Sequence, residues 1–246
     1  MPTRILTCTL LITAAWAAPA RAQGPAVSAA LHDAIPARHD VSTLEGLGVT
    51  AGIATLFFID RPARDFLQRH RSKALDGLAG VFRRMGSVPV YVGVAAGITG
   101  TGLVAGNDAV KRAGGRLLFS EAMTVVADEI IKKVAGRARP DVSASPWDFD
   151  PLKNKQVSFV SGHAAMAFVL ATSLADDMHN TWASIGLYTF ATGTAWSRLN
   201  DNRHWPSDVV GGAVLGFTVS KMMSNRWEVL GFDPPRFVQE QPDAAP

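Results

Sequence analysis

Six apolar segments, 46–59, 88–106, 117–131, 160–175, 181–196 and 208–219, constrain this chain more than any other feature. Gly, Ala and Thr recur within them, and none alternates with the period of two that a strand series requires. Small residues at this density let helix backbones approach closely, as in membrane bundles or tight soluble ones. The pattern predicts an all-α fold, a compact bundle of about six core helices. Between the first two segments, Arg61 to Arg84 holds seven basic and two acidic residues, with Phe66, Leu67, Leu75, Leu78, Val81 and Phe82 as its main apolar members. That stretch reads as one further, amphipathic helix lying at a surface, able to meet an anionic membrane. A solvated charged face is the plainer alternative.

A membrane span needs about 20 mostly apolar residues, and only 88–106 reaches that length comfortably. Glu121, Asp128 and Glu129 would be costly against lipid, so several segments serve equally as buried core helices. The N-terminus reads as a secretory signal over residues 1–22: Arg4, then an apolar stretch, then Ala20-Arg21-Ala22 before Gln23. An uncleaved first membrane helix is the alternative. Cleavage starts the mature chain outside the cytoplasm, and an active site on that side then requires zero or two spans before it. The only cysteine, Cys8, leaves with the signal, so neither a disulfide nor a thiolate metal ligand is expected. Loss of Arg4 and Arg21 leaves 22 basic against 21 acidic residues, which gives no reason to expect a nucleic-acid partner. Residues 23–43 form a polar lead-in, 44–226 the helical domain, and 227–246, with Pro234 and Pro235, an irregular tail.

Three polar clusters sit at helix edges. The first is Lys132-Lys133-Val-Ala-Gly136-Arg137-Ala-Arg139-Pro140, in which Lys132 and Arg139 are seven residues apart, about two helical turns, and so share a face. Cations at a helix C-terminus also suit the dipole, or flank a membrane, without further function. The second is Ser158-Phe-Val160-Ser161-Gly162-His163, opening an apolar segment. Free backbone N–H groups at a helix start form an anion site, where His163 could give a proton to a departing oxygen; Ser161 as a mere cap is the bland account. The third, Ser197-Arg198-Leu-Asn-Asp201-Asn-Arg203-His204-Trp-Pro206-Ser207-Asp208, puts Asp208 four residues after His204, within reach of one ring nitrogen. A polar inter-helix loop explains Asp208 but not Arg198, Arg203 and His204 together.

Taken in order as Lys-x6-Arg-Pro, Ser-Gly-His and Ser-Arg-x5-His-x3-Asp, the clusters resemble the type 2 phosphatidate phosphatase and vanadium haloperoxidase superfamily over roughly residues 44–224. The resemblance implies that Lys132, Arg139 and Arg198, with Ser161 and the Gly162 N–H, bind phosphoryl oxygens. It implies that His204, oriented by Asp208, attacks phosphorus and that His163 protonates the leaving group, with no metal or other cofactor. One position departs: Val160 stands where the family usually has a proline that stiffens the turn. The expected activity is metal-independent hydrolysis of a lipid phosphate or diphosphate, such as phosphatidate, phosphatidylglycerophosphate, undecaprenyl diphosphate or a lipid A phosphate. The expected setting is the periplasmic side of the inner membrane. A soluble, broad-specificity acid phosphatase, a vanadate-dependent haloperoxidase and a non-catalytic helical membrane protein are the alternatives. A carboxylate–histidine metal cage is disfavoured, because Asp201 and Asp208 are the acids nearest the two key histidines. One neutral and one protonated histidine would give a bell-shaped pH–rate profile.

Overall fold

The computed structural model describes residues 38–152, 157–229 and 231. Among them are seven helices, α1 (Thr43–Arg69), α2 (Lys73–Met85), α3 (Val88–Val104), α4 (Asp108–Ala135), α5 (Gly162–Met178), α6 (Thr181–Asn200) and α7 (Pro206–Met223). Two three-residue strands, β1 (His39–Val41) and β2 (Trp227–Val229), pair in parallel with His39 opposite Trp227. The expected signal segment lies outside the described residues. The strand pair joins the end of the lead-in to residues expected to begin an irregular tail; three residues are too few to reveal alternation in a sequence.

The amphipathic stretch differs from expectation. Arg61–Arg69 continues α1, the chain turns at residues 70–72, and a separate α2 begins at Lys73. The break has local causes: the His70 N–H closes α1 on the Leu67 carbonyl at 3.2 Å, and Ser72 Oγ caps α2 by accepting from the Leu75 N–H at 3.3 Å. This makes α1, rather than 88–106, the helix long and apolar enough to cross a membrane, with a mean hydropathy of 1.3 and only 11% of its most apolar stretch buried. Helices α2 and α3 reach that length only together, bent by 46°.

Helix α5 is the core of the bundle, packed against α4, α6 and α7, while α3 backs onto α4, α2 onto α6 and α1 onto α7. Its alanines Ala164, Ala165, Ala167 and Ala171 are buried. The small-residue packing is closest between α5 and α7. A Cβ on Gly216 would stand 2.1 Å from the Ala165 carbonyl oxygen, and one on Gly212 2.4 Å from that of Ser161. Only glycine permits that backbone approach. Glu121 and Asp128 point inward from α4 and are buried. The C-terminal ends of α4 and α6 and the N-terminal ends of α5 and α7 meet at one end of the bundle, and all three polar clusters lie there.

Candidate active site

Helix α4 ends at Gly136, whose left-handed φ of +57° closes the last turn on the Lys132 carbonyl at 2.8 Å. A Cβ there would stand 2.0 Å from the Asp150 oxygen, so glycine admits the return of the chain. Hydrogen bonds from Asp150 N to the Gly136 carbonyl (2.8 Å), Ala138 N to Asp148 (2.9 Å) and Ser158 N to Arg137 (3.0 Å) hold residues 136–139 against the segment that leads into α5. The buried Trp205 indole adds an N–H bond to the Ala138 carbonyl at 2.9 Å.

These constraints deliver Lys132, Arg139, Gly162, His163, Arg198 and His204 to one cavity of about 260 Å³. Val88, Val125 and Met166 give part of its wall an apolar face. Asp128 and Glu129 also line it, and Lys132 donates to Asp128 Oδ2 at 2.5 Å, so the lysine is held by a carboxylate. Arg139, Arg198, two imidazoles and a helix N-terminus make the rest a site for a compact anion. Ser161 lies outside this wall: it is fully buried, and its Oγ has no hydrogen-bond partner. Val160 is buried too, with its Cγ1 2.9 Å from where a Gly211 Cβ would be.

Asp208 stands behind the cavity rather than in it. The sequence places it to hold a ring nitrogen of His204; instead Nδ1 lies 2.9 Å from the Ser158 carbonyl oxygen, with the Asp208 Oδ2 at 3.6 Å. A carbonyl accepts only, so Nδ1 carries the proton and Nε2 is the nitrogen left for the cavity. The reason lies in what else claims Asp208. Its Oδ2 accepts from Ser158 Oγ at 2.5 Å and Trp205 N at 2.8 Å, and its Oδ1 accepts from Arg137 at 2.6 Å. The carboxylate thus ties the backbone after His204, at Trp205, to Ser158, whose carbonyl holds the ring, and presents its charge to the ring from one contact farther away.

Arg137 and Asp60 are the residues that sequence reasoning missed. Arg137 is fully buried and donates to Asp208 Oδ1 (2.6 Å), Asp60 Oδ2 (2.6 Å), Ser207 Oγ (2.7 Å) and the Pro146 carbonyl. Phe57 stacks against its guanidinium at 4.1 Å. Asp60 accepts from the Ser207 N–H at 2.8 Å, so α1 is bonded to the first turn of α7. The faint signals were a single acid closing the apolar run of α1 and an arginine set between Gly136 and Ala138.

The electrostatics separate the two histidines from ordinary ones. Burial, then the charges of Arg198, His204, Lys132 and Arg139, pushes His163 down to about 4. Burial also lowers His204, with Asp208 opposing and Arg139 and Arg198 adding to the fall. Burial alone would raise Asp208, but the His204 ring, the Arg137 cation and the Ser158 hydroxyl outweigh it and hold the carboxyl below its usual range. The cavity therefore presents two neutral imidazoles at neutral pH. Among the described residues, no three His, Cys, Asp or Glu side chains converge in a way that could hold a metal ion.

Residues 113–229 match the PAP2 superfamily model, a span that contains every cavity-lining residue named above except Val88. The chain is similar to the lipid A 1-phosphatase of Porphyromonas gingivalis, 39% identical over 89 residues that cover 35% of this chain and 18% of that protein. It is also similar to the lipid A 4'-phosphatase of Bacteroides thetaiotaomicron, 28% identical over 105 residues, 41% of this chain and 45% of the relative. It thus spans less than half the length of either curated relative. Among solved structures, Aquifex aeolicus LpxE superposes with a TM-score of 0.54 at 23% identity, covering 66% of this chain and 92% of that one. The PAP2-type phosphatidylglycerolphosphate phosphatase of Bacillus subtilis superposes with a TM-score of 0.56 at 20% identity, covering 71% and 91%. At those identities the structures speak for the fold, an all-α bundle, and the motif residues gathered in one cavity agree with the family match. Residues 113–229, just under half of the chain, form a PAP2 superfamily region, that of the type 2 phosphatidic acid phosphatases.

Proposed function

We propose that the chain is a metal-independent phosphatase acting on a lipid phosphate through a phosphohistidine at His204. The observation that carries this reading is the single cavity in which His204, its Nδ1 engaged by Ser158, faces His163, Lys132, Arg139 and Arg198. The cations, with the Gly162 N–H, bind the phosphoryl oxygens and neutralise the charge that develops on them during transfer. The lone pair of His204 Nε2 forms the bond to phosphorus as the bond to the leaving oxygen breaks. His163 gives its proton to that oxygen, and an alcohol departs. The Nδ1–H bond to Ser158 and the carboxylate of Asp208 stabilise the positive ring that results. Water then attacks the phosphohistidine, now-neutral His163 takes a proton from it, and phosphate leaves with His204 restored. Burial and then the neighbouring cations lower His163 to about 4, so the substrate itself promotes its protonation: a bound phosphate dianion offsets those cations. Ser161, outside the wall, acts by setting the turn before Gly162.

A lipid substrate is favoured by the apolar wall of Val88, Val125 and Met166 and by the exposed side chains of α1, including Leu44, Leu47, Phe58 and Phe66. The named activities of the two curated relatives point the same way. We place the enzyme at the outer face of the cytoplasmic membrane, with residues 44–226 as its domain. The exposed apolar side chains of α1 lie on the membrane rather than across it, so that no span precedes the site. The first test is phosphate release by purified protein in mild detergent with EDTA, on phosphatidate, undecaprenyl diphosphate, lipid A and an aryl phosphate. The reading expects EDTA-resistant release from at least one lipid and none from His204→Ala. Release from the aryl phosphate alone would favour a soluble-substrate enzyme, and halide oxidation on adding vanadate would favour a haloperoxidase.

A further inference from the structure

A second cavity, of about 290 Å³, adjoins the first and is lined by Arg71, Arg83, Arg198, Asp201 and Arg203. Arg198 lines both cavities. Four arginines come to it from four places in the fold: the turn between α1 and α2, the end of α2, the end of α6 and the loop before α7. The mechanism uses only one of them. Each of the others is steadied from one side by a carboxylate, Arg71 by Asp76 (2.9 Å), Arg83 by Asp201 (2.6 Å) and Arg203 by Asp141 (2.7 Å). Arg198 shares Asp201 at 3.5 Å. A guanidinium has five N–H donors, and one such bond orients it while leaving most of the fork for another acceptor. Four cations against three carboxylates keep the cavity positive, and Asp201 is the only acid in its wall.

We propose that this cavity binds a second anionic group of the phosphate class, carried by the same substrate a short linker away from the phosphoryl group that is transferred. The inference rests on the phosphatase reading above and narrows its substrate class to lipids with two phosphate groups in reach of Arg198. Arg198 then bridges them, its inner edge on the reacting phosphoryl and its outer edge on the companion. Arg71, Arg83 and Arg203 complete the outer cradle.

The test compares two lipids with the same tails, dioleoyl phosphatidate with one phosphate and dioleoyl phosphatidylglycerophosphate with two, on the full chain and on Arg71→Gln/Arg83→Gln. These substitutions leave Arg198, Lys132 and Arg139 in place. The ratio of KM for the two-phosphate lipid to KM for phosphatidate rises about tenfold in the variant, the usual size for losing charge-assisted bonds. A ratio that stays the same, whether both KM values rise together or neither moves, overturns the proposal and reduces the cavity to support for Arg198. Inhibition by added inorganic phosphate is measured beside it; relief of that inhibition with an unchanged ratio assigns the cavity to free phosphate and equally overturns the substrate assignment. Wild type inactive on both lipids and on the aryl phosphate is a failure of the phosphatase reading, seen before any variant is compared.

Discussion

Arg137→Met tests what holds the site together. Methionine keeps most of the arginine's stem volume and removes its charge. The change deletes hydrogen bonds to Asp60, Asp208, Ser207 and Pro146, and leaves two fully buried carboxylates without their shared cation. Removing one partner from a buried ion pair costs about 3–5 kcal/mol, a large share of the roughly 5–15 kcal/mol that keeps a domain folded. The loss depends on pH. Asp208 sits below the usual aspartate value of 3.8 in the fold, so its contribution is complete above that pH and is lost as pH falls through the lower folded value. The gap between wild type and variant is therefore widest near neutrality and narrows in acid, where the Asp208 carboxyl takes up its proton. Activity follows, because a protonated Asp208 no longer offsets positive charge on His204; kcat falls by about tenfold or more. Arg137→Lys fails similarly, since an ammonium cannot reach the four acceptors that the planar guanidinium spans. Guanidinium denaturation in mild detergent, followed by tryptophan fluorescence at about pH 3 and 7, measures the effect. A loss below about 1 kcal/mol at pH 7, with kcat unchanged, would refute the reasoning.

Three further outcomes are expected. His163→Ala slows hydrolysis of an alkyl lipid phosphate by about 10²–10⁴ but that of p-nitrophenyl phosphate, whose leaving group needs no proton, by less than about tenfold; equal losses on both remove the acid role. In Gly162→Ala the new Cβ would stand 2.7 Å from Asp128 Oδ2 and 3.2 Å from Lys132 Nζ. Displacing that carboxylate–ammonium pair raises KM about tenfold with little change in melting temperature, and an unchanged KM contradicts the placement of Lys132. Glu121 is buried with both oxygens unpartnered, and burial raises it from 4.5 to about 8. Its ionised form is penalised, so native stability falls as pH rises from 4.5 to about 8 and levels off beyond. Glu121→Gln removes that slope and is the more stable protein at pH 8, by about 2–4 kcal/mol, in denaturation curves at pH 5 and 8.

The groups that meet the cavity were legible because their chemistry is written at helix edges. Lys132 closes a helix, and Arg139 follows its Gly136 cap rather than continuing the helical face the spacing suggested. Gly162 and His163 open a helix, and Arg198 and His204 bracket a loop; residue type and order suffice for each. What supports them was not legible, because it is made by tertiary contact. Arg137 looked like one more cation in a charge run until the fold placed Asp60, 77 residues away in sequence, against its guanidinium. Asp208 was seen four residues from His204, but its prior engagement by Arg137, Ser158 and Trp205 depends on three segments brought together. The helix boundaries show the same limit. Continuous basic amphipathic pattern across Arg61–Arg84 hid the cap at Ser72, a local signal weaker than the periodicity around it.

The central claim is that His204 takes the phosphoryl group. Rapid acid-free quenching of the enzyme with a ³²P-labelled lipid monophosphate, followed by tryptic mapping, tests it most directly. The account predicts transient label on the peptide containing His204, stable in alkali and lost in acid, and absent from His204→Ala. Phosphate release without any such label, or turnover that survives in His204→Ala, would contradict it.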